Sequence, residues 1–232
     1  MKLYNFVIPV AVLTITGIGY AIHSQLTPKP LKSFVVTSVM SSPRAGSPYL
    51  HTSTFTRAVR VDGSWAEIWT RSINGRDSYE RKIHDYEAGR YTIVEDVTKS
   101  IVRSTIPEEE YRHRLTAATS CQGHPDGKIL DIDVNYFEDT YQLTDNPQGA
   151  ATAVVKDWLA PDLGCFVLQK HTIWTRNSDG VVLVDTKITP IAVTFQSVDQ
   201  YFEIPTTYTE RTKEQARDLL DQAIANNWPI LK

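Results

Sequence analysis

Apolar and polar positions alternate with period two through the first half of the chain, and a helical period takes over only near its end. Phe34 to Met40, His51 to Val61, Ser64 to Ser72, Ser78 to Tyr86, Arg90 to Val97 and Lys99 to Ile106 read as successive strands. Phe55, Val59 and Val61 alternate with Thr54, Thr56, Ala58 and Arg60. Trp65 and Trp69 share a face with Glu67 and Arg71, leaving Ala66 and Ile68 on the other. Asp62-Gly63 and Asn74-Gly75 separate strand-like runs, and tight hairpins use these pairs because type I′ turns need positive φ at both central positions. The Ser/Pro/Gly stretch from Ser41 to Pro48 reads as a loop. The expectation is an antiparallel meander whose second face is either solvated or wrapped around something.

Beyond the meander, residues 107–115 predict one short helix, with Pro107 at its start, Glu108 to Glu110 in the first turn, and Arg112 and Arg114 in the last. Thr116 to Gly127 reads as a loop, Lys128 to Phe137 as a strand and Glu138 to Gly149 as a loop. Ala151 to Trp158 and Cys165 to Thr175 are strands joined by the turn Ala160-Pro161-Asp162-Leu163-Gly164. After Asp179-Gly180, Val181 to Ile188 is a strand that Pro190 interrupts, so an edge, a bulge or a new strand from Ile191 to Phe195 follows. Residues 212–228 give the clearest helix. Thr212-x-x-Gln215 fits a capping box, Ala216, Leu219, Leu220, Ala223 and Ile224 form an apolar stripe, and Pro229 ends it.

These elements predict a mainly β (α+β) fold: a curved antiparallel sheet forming a half-barrel or partly closed barrel, one short internal helix and a C-terminal amphipathic helix. A chain of 232 residues with 41% hydrophobic and 22% charged residues suits one such domain, assigned to 34–232. Residues 1–25 read as a signal peptide or amino-terminal membrane anchor and 26–33, with Pro28 and Pro30, as a tether. The run from Phe6 to Ile22 is apolar and uncharged, long for a signal sequence and short for a membrane span. Gly19 and Ala21 suit cleavage after Ala21; the alternatives are retention as a membrane tether through residues 6–22, or a buried helix. Export is expected, leaving the protein periplasmic, secreted or anchored to the outer face of the inner membrane. A net charge of −3 with interleaved signs argues against nucleic acid as partner.

In an exported chain the pair Cys121 and Cys165 reads most simply as a disulfide, worth about 4 kcal/mol on chain-entropy grounds. A metal set of Cys121, His124, Cys165 and His171 is the rival. One continuous strand would hold Cys165 and His171 roughly 20 Å apart, far beyond a shared coordination sphere. No metal and no other cofactor is expected. Asp131 and Asp133 on one strand face could pair for acid–base or metal work but read as its wet side. Arg57, Arg60 and Arg71 could line a site and read more simply as sheet-face charges paired across strands. No hydrolase or phosphate-binding motif occurs, and no catalytic residue is assigned. Five Trp, eleven Tyr and seven Phe are the more suggestive resource. Phe55, Trp65, Trp69, Trp158, Phe166, Trp174 and Leu219 are the candidates for lining a cavity between sheet and helix, or for filling it as core.

The segment Trp158-Leu159-Ala160-Pro161-Asp162-Leu163-Gly164-Cys165, with Cys121-Gln122-Gly123 and the hairpin series, resembles a family of uncharacterised exported bacterial β-rich proteins, from about Leu50 to Tyr208. More remotely, the order of helical segment, long meander and amphipathic helix is similar to the Lol-type lipoprotein carriers. That resemblance implies an open half-barrel around a hydrophobic cavity closed by helices, and traffic in lipid-modified polypeptides or other amphiphiles. The expected function is therefore non-catalytic binding of an apolar or amphiphilic ligand, a lipid or lipid-modified polypeptide, at the cell envelope. The alternatives are a structural or protein-interaction module with a filled β core, and an unrecognised hydrolase.

Overall fold

The computed structural model describes residues 32–43, 50–73, 76–107 and 121–225. The expectations for residues 1–31, the turn at Asn74-Gly75, the helix at 108–115 and the end of the last helix lie outside those residues. Twelve strands form one open sheet. They are β1 (Phe34–Pro43), β2 (Leu50–Val59), β3 (Trp65–Ile73), β4 (Arg76–Asp85), β5 (Arg90–Glu95), β6 (Ser100–Thr105), β7 (His124–Ile129), β8 (Ile132–Leu143), β9 (Ala151–Ala160), β10 (Phe166–Arg176), β11 (Val182–Thr194) and β12 (Thr209–Glu210). Their spatial order is β12-β6-β5-β4-β3-β2-β1-β11-β10-β9-β8-β7, so β1 sits mid-sheet between two runs of hairpins. Every pairing is antiparallel except β12 on β6. One helix, α1 (Lys213–Ala225), follows β12.

The sheet curls because its two halves share a core. Phe34, Val36, Val59 and Trp65 from β1–β3 cluster with Val134 of β8 and with Ala160, Leu163 and Leu168 around the β9–β10 corner. We call the face carrying Phe34, Val36, Val59 and Trp65 the inner face. The corner is the predicted Pro161–Leu163 turn, a short 3-10 helix, and a bulge between Val167 and Gln169 bends the outgoing strand so that Phe166 meets Phe34 edge-on at 5.2 Å. Cys121 and Cys165 are disulfide-bonded with their Cα atoms 5.2 Å apart, tying the approach to β7 to this corner. Gly123 lies beside the bridge, where a Cβ would stand 2.1 Å from the Tyr136 carbonyl oxygen.

The outer face of β1–β6 is covered by the segment returning from β11. Val198 packs on Val35 and Ala58, Tyr201 and Phe202 lie alongside, and Ile204 and Tyr208 reach Ala66, Ile83 and Val94. Arg60 stacks on Phe202 at 3.8 Å and pairs with Asp199. Tyr208 donates its hydroxyl to Asp96 at 2.6 Å; burial, with that bond, pushes its phenol up to about 12.

Three expectations are corrected. Lys128 to Phe137 is not one strand: Leu130 and Asp131 both take positive φ and turn β7 back into β8. The Asp126-Gly127 pair instead sits in a bulge within β7. Asp131 is therefore a turn residue, while Asp133 pairs with Lys128 across the hairpin, so they are not paired carboxylates of one strand face. The loop expected from Glu138 begins only after Leu143. Of the three outcomes left open at Pro190, the bulge is the one formed: β11 runs from Val182 to Thr194, and its ladder to β1 slips between the Thr37 and Ser38 pairings, where the proline lacks an N–H to give.

Candidate functional site

Cross-strand register decides which predicted residues meet. On the inner face one row runs Val59, Trp65, His84, Tyr91, Ser104 from β2 to β6. Trp65 stacks on His84 at 4.0 Å, and His84 lies 4.4 Å from Tyr91, so an aromatic path leaves the core cluster toward the sheet edge. A second row runs Arg57, Glu67, Lys82, Ile93, Val102, and a third Phe55, Trp69, Glu80, Glu95, Ser100. Phe55 and Trp69 stack at 4.5 Å.

Arg57 is the hub of this face. Its guanidinium donates to Glu67 through Nε at 2.9 Å and through Nη2, and lies 5.1 Å from the Trp65 ring centroid and 5.8 Å from those of Phe55 and Phe166. Trp69 Nε1 donates to the other oxygen of Glu67 at 2.6 Å. Glu67, Glu80 and Glu95 are all buried, Glu80 with Lys82 at 3.2 Å. The expected pairing of arginines across strands holds for Arg57, whereas Arg60 is engaged by the returning segment on the outer face.

The inner face ends in a groove. α1 starts beside β6, and its first turn borders an open groove of about 690 Å³ lined also by Tyr91, Ile93 and Val102. The capping box is formed: Gln215 N donates to Thr212 Oγ1 at 3.2 Å, and Thr212 N to Gln215 Oε1 at 3.1 Å. Arg103, Glu210, Arg211 and Lys213 rim the opening, with Arg103 paired to Glu210. Arg211 Nη1 donates to Ser100 Oγ at 3.2 Å. The groove thus joins an apolar floor to a charged mouth.

The predicted lining residues separate. Phe55, Trp65 and Trp69 share the inner face, and Phe166 joins them through Arg57. Trp174 is half-buried on the same face, opposite Ala153 and Val184. Trp158 packs against the shared core cluster from β9, with Tyr136 at 5.2 Å, and donates Nε1 to Asp126 at 2.8 Å. Leu219 is half-buried on α1. His124 contacts Tyr136 and His171 pairs with Asp185 at 2.7 Å, so neither histidine joins the cysteines. Asp157 faces inward beside Lys170, and burial pushes its carboxyl up. Sequence reasoning missed Tyr91, Ile93 and Val102; their alternation within β5 and β6 was visible, but the helix set beside them was not.

No family model and no curated protein matches the chain. Among solved structures it is similar to PNGF-II at 14% identity and a TM-score of 0.40, covering 82% of this chain and 33% of that one. It therefore spans about a third of PNGF-II. LprF from Mycobacterium bovis is 12% identical with a TM-score of 0.36, over 81% of this chain and 98% of its own. The LolA superfamily protein from Nitrosomonas europaea is 10% identical with a TM-score of 0.36, over 80% and 96%. These are remote likenesses of fold, too loose in superposition to assign this chain an activity or a ligand.

Proposed function

We propose that this chain is a non-catalytic binder of an apolar or amphiphilic ligand, a lipid or lipid-modified polypeptide, taken up between α1 and the inner face of β5 and β6. The groove carries this reading: its volume lies within the range of small-molecule sites, with an apolar floor for a hydrocarbon portion and ionic groups at the mouth for a polar one. Work at the cell envelope is part of the same proposal. Residues 1–25 would direct export or anchor the protein, 26–33 would form the tether and 34–232 the binding domain. The Cys121–Cys165 bridge supports an oxidising compartment.

Displacement of a fluorescent fatty acid by dodecanoate tests the groove. The folded protein should bind saturably, and Val102→Glu, which sets a charge on the floor, should weaken binding at least tenfold with circular dichroism unchanged. Absence of uptake, or equal uptake by Val102→Glu, would remove the groove as the site.

A further inference from the structure

Resting on the groove as the ligand site, we propose that its natural occupant is an extended polypeptide with alternating apolar and acidic side chains, added as a strand to the open edge of β6. The backbone directions along β6 are fixed by their partners. Ile106 N donates to Gly89 O, so the even-numbered residues face β5. Thr209 N donates to Lys99 O and Arg211 N to Ile101 O, so the odd-numbered ones face β12. β12 covers only Ser100 and Ile101 before the chain turns into α1. The N–H and C=O groups of Arg103 and Thr105 then point outward, and both residues are exposed. Among the described residues, no backbone hydrogen bond reaches these N–H and C=O groups.

Such an edge matches a polypeptide backbone, whose donors and acceptors repeat at the same spacing, and a hydrocarbon chain cannot satisfy it. The protein's own Thr209–Glu210 shows a segment adding here in parallel. Proteins commonly blunt edges with proline and bulges. At the opposite edge of the sheet, β7 carries Pro125 and a bulge between Pro125 and Lys128; the pairing of β6 with β5 runs unbroken from Ser100 to Thr105. Side chains of an added strand would alternate between the groove floor beside Val102 and the side carrying Arg103. Arg103, Arg211 and Lys213 against Glu210 make the mouth cationic, which selects acidic residues.

The test uses the full chain and a labelled synthetic peptide alternating glutamate and valine. Anisotropy should show saturable binding, and NMR-detected exchange should slow at least tenfold at the Arg103 and Thr105 amides. Thr105→Pro removes an outward N–H while leaving the β5 ladder intact; it should weaken peptide binding at least tenfold and leave dodecanoate uptake unchanged. A lysine–valine peptide should bind at least tenfold more weakly. Unprotected amides, full binding by Thr105→Pro, or equal binding of the lysine peptide overturns strand addition. If Thr105→Pro fails to fold, the wild-type amide exchange decides alone. Dodecanoate uptake without peptide binding sinks strand addition and spares the groove reading; failure of both sinks both.

Discussion

Replacing Arg57 by methionine isolates the hub of the inner face. The change keeps an apolar stem but removes two charge-assisted donors to Glu67 and the cation lying over three aromatic rings. Glu67 has 8% of its side chain exposed, so its carboxylate would remain buried with Trp69 Nε1 as the donor the structure shows. Breaking a buried pair from one side costs about 3–5 kcal/mol. With 28% of its side chain exposed, Arg57 sits nearer water, and about 2–3 kcal/mol is expected. Glu67→Gln leaves a partly hydrated guanidinium and should cost about 1–2 kcal/mol. The double variant leaves neither charge stranded and should cost less than the two singles combined, with a coupling of at least about 1.5 kcal/mol. Urea unfolding followed by tryptophan fluorescence and circular dichroism measures all three. A loss below about 1 kcal/mol for Arg57→Met, or additivity within about 0.5 kcal/mol, would reduce the pair to an ordinary surface contact.

Two further outcomes follow from the fold. Reducing Cys121–Cys165, which closes a sequence separation of 44, should lower unfolding stability by up to about 4 kcal/mol, read as the shift in urea midpoint with and without reductant; an unchanged midpoint would deny the bridge its role in fixing the corner. Tyr208→Phe should cost about 1–2 kcal/mol at neutral pH by removing the bond to Asp96. Because the folded phenol is raised from 10.0 to about 12, the wild-type advantage is fully present below pH 10 and fades as pH rises toward 12. An advantage that persists unchanged at pH 12 would show that the Tyr208–Asp96 bond does not fasten the returning segment.

The meander was legible because its signals are local. Alternation placed Trp65, Glu67 and Trp69 on one face, and the register confirms that grouping. The Thr212–Gln215 capping box was equally readable. What failed was the placing of one turn. Asp126-Gly127 was read as the end of a loop and Lys128 to Phe137 as one strand, yet the chain turns at Leu130-Asp131, at the cost of a leucine with φ near 51°. Pairing of β7 with β8 outweighs that local preference. The inner face was obscure for a related reason. Glutamates set singly along polar strands resemble a wet surface, whereas Glu67, Glu80 and Glu95, one each on β3, β4 and β5, are buried once the sheet curls. Curvature depends on contacts such as Phe34 with Phe166, far apart in sequence.

The groove exists because two tendencies meet at Arg211. Residues after β11 cross the outer face, seated by Val198, Phe202 and Tyr208, and deliver Thr209 and Glu210 to the free edge of β6. Continued pairing would have closed that edge. Thr212, however, is committed to Gln215, and a residue that caps a helix takes its side-chain bond from the turn ahead instead of extending the strand behind. The strand therefore stops after two residues, and α1 borders the groove lined by Tyr91, Ile93 and Val102. A single capping motif thus determines both one border of the groove and the length of β6 left open beside it. If the groove takes a ligand, the sequence from Thr209 to Gln215 is where its size was set.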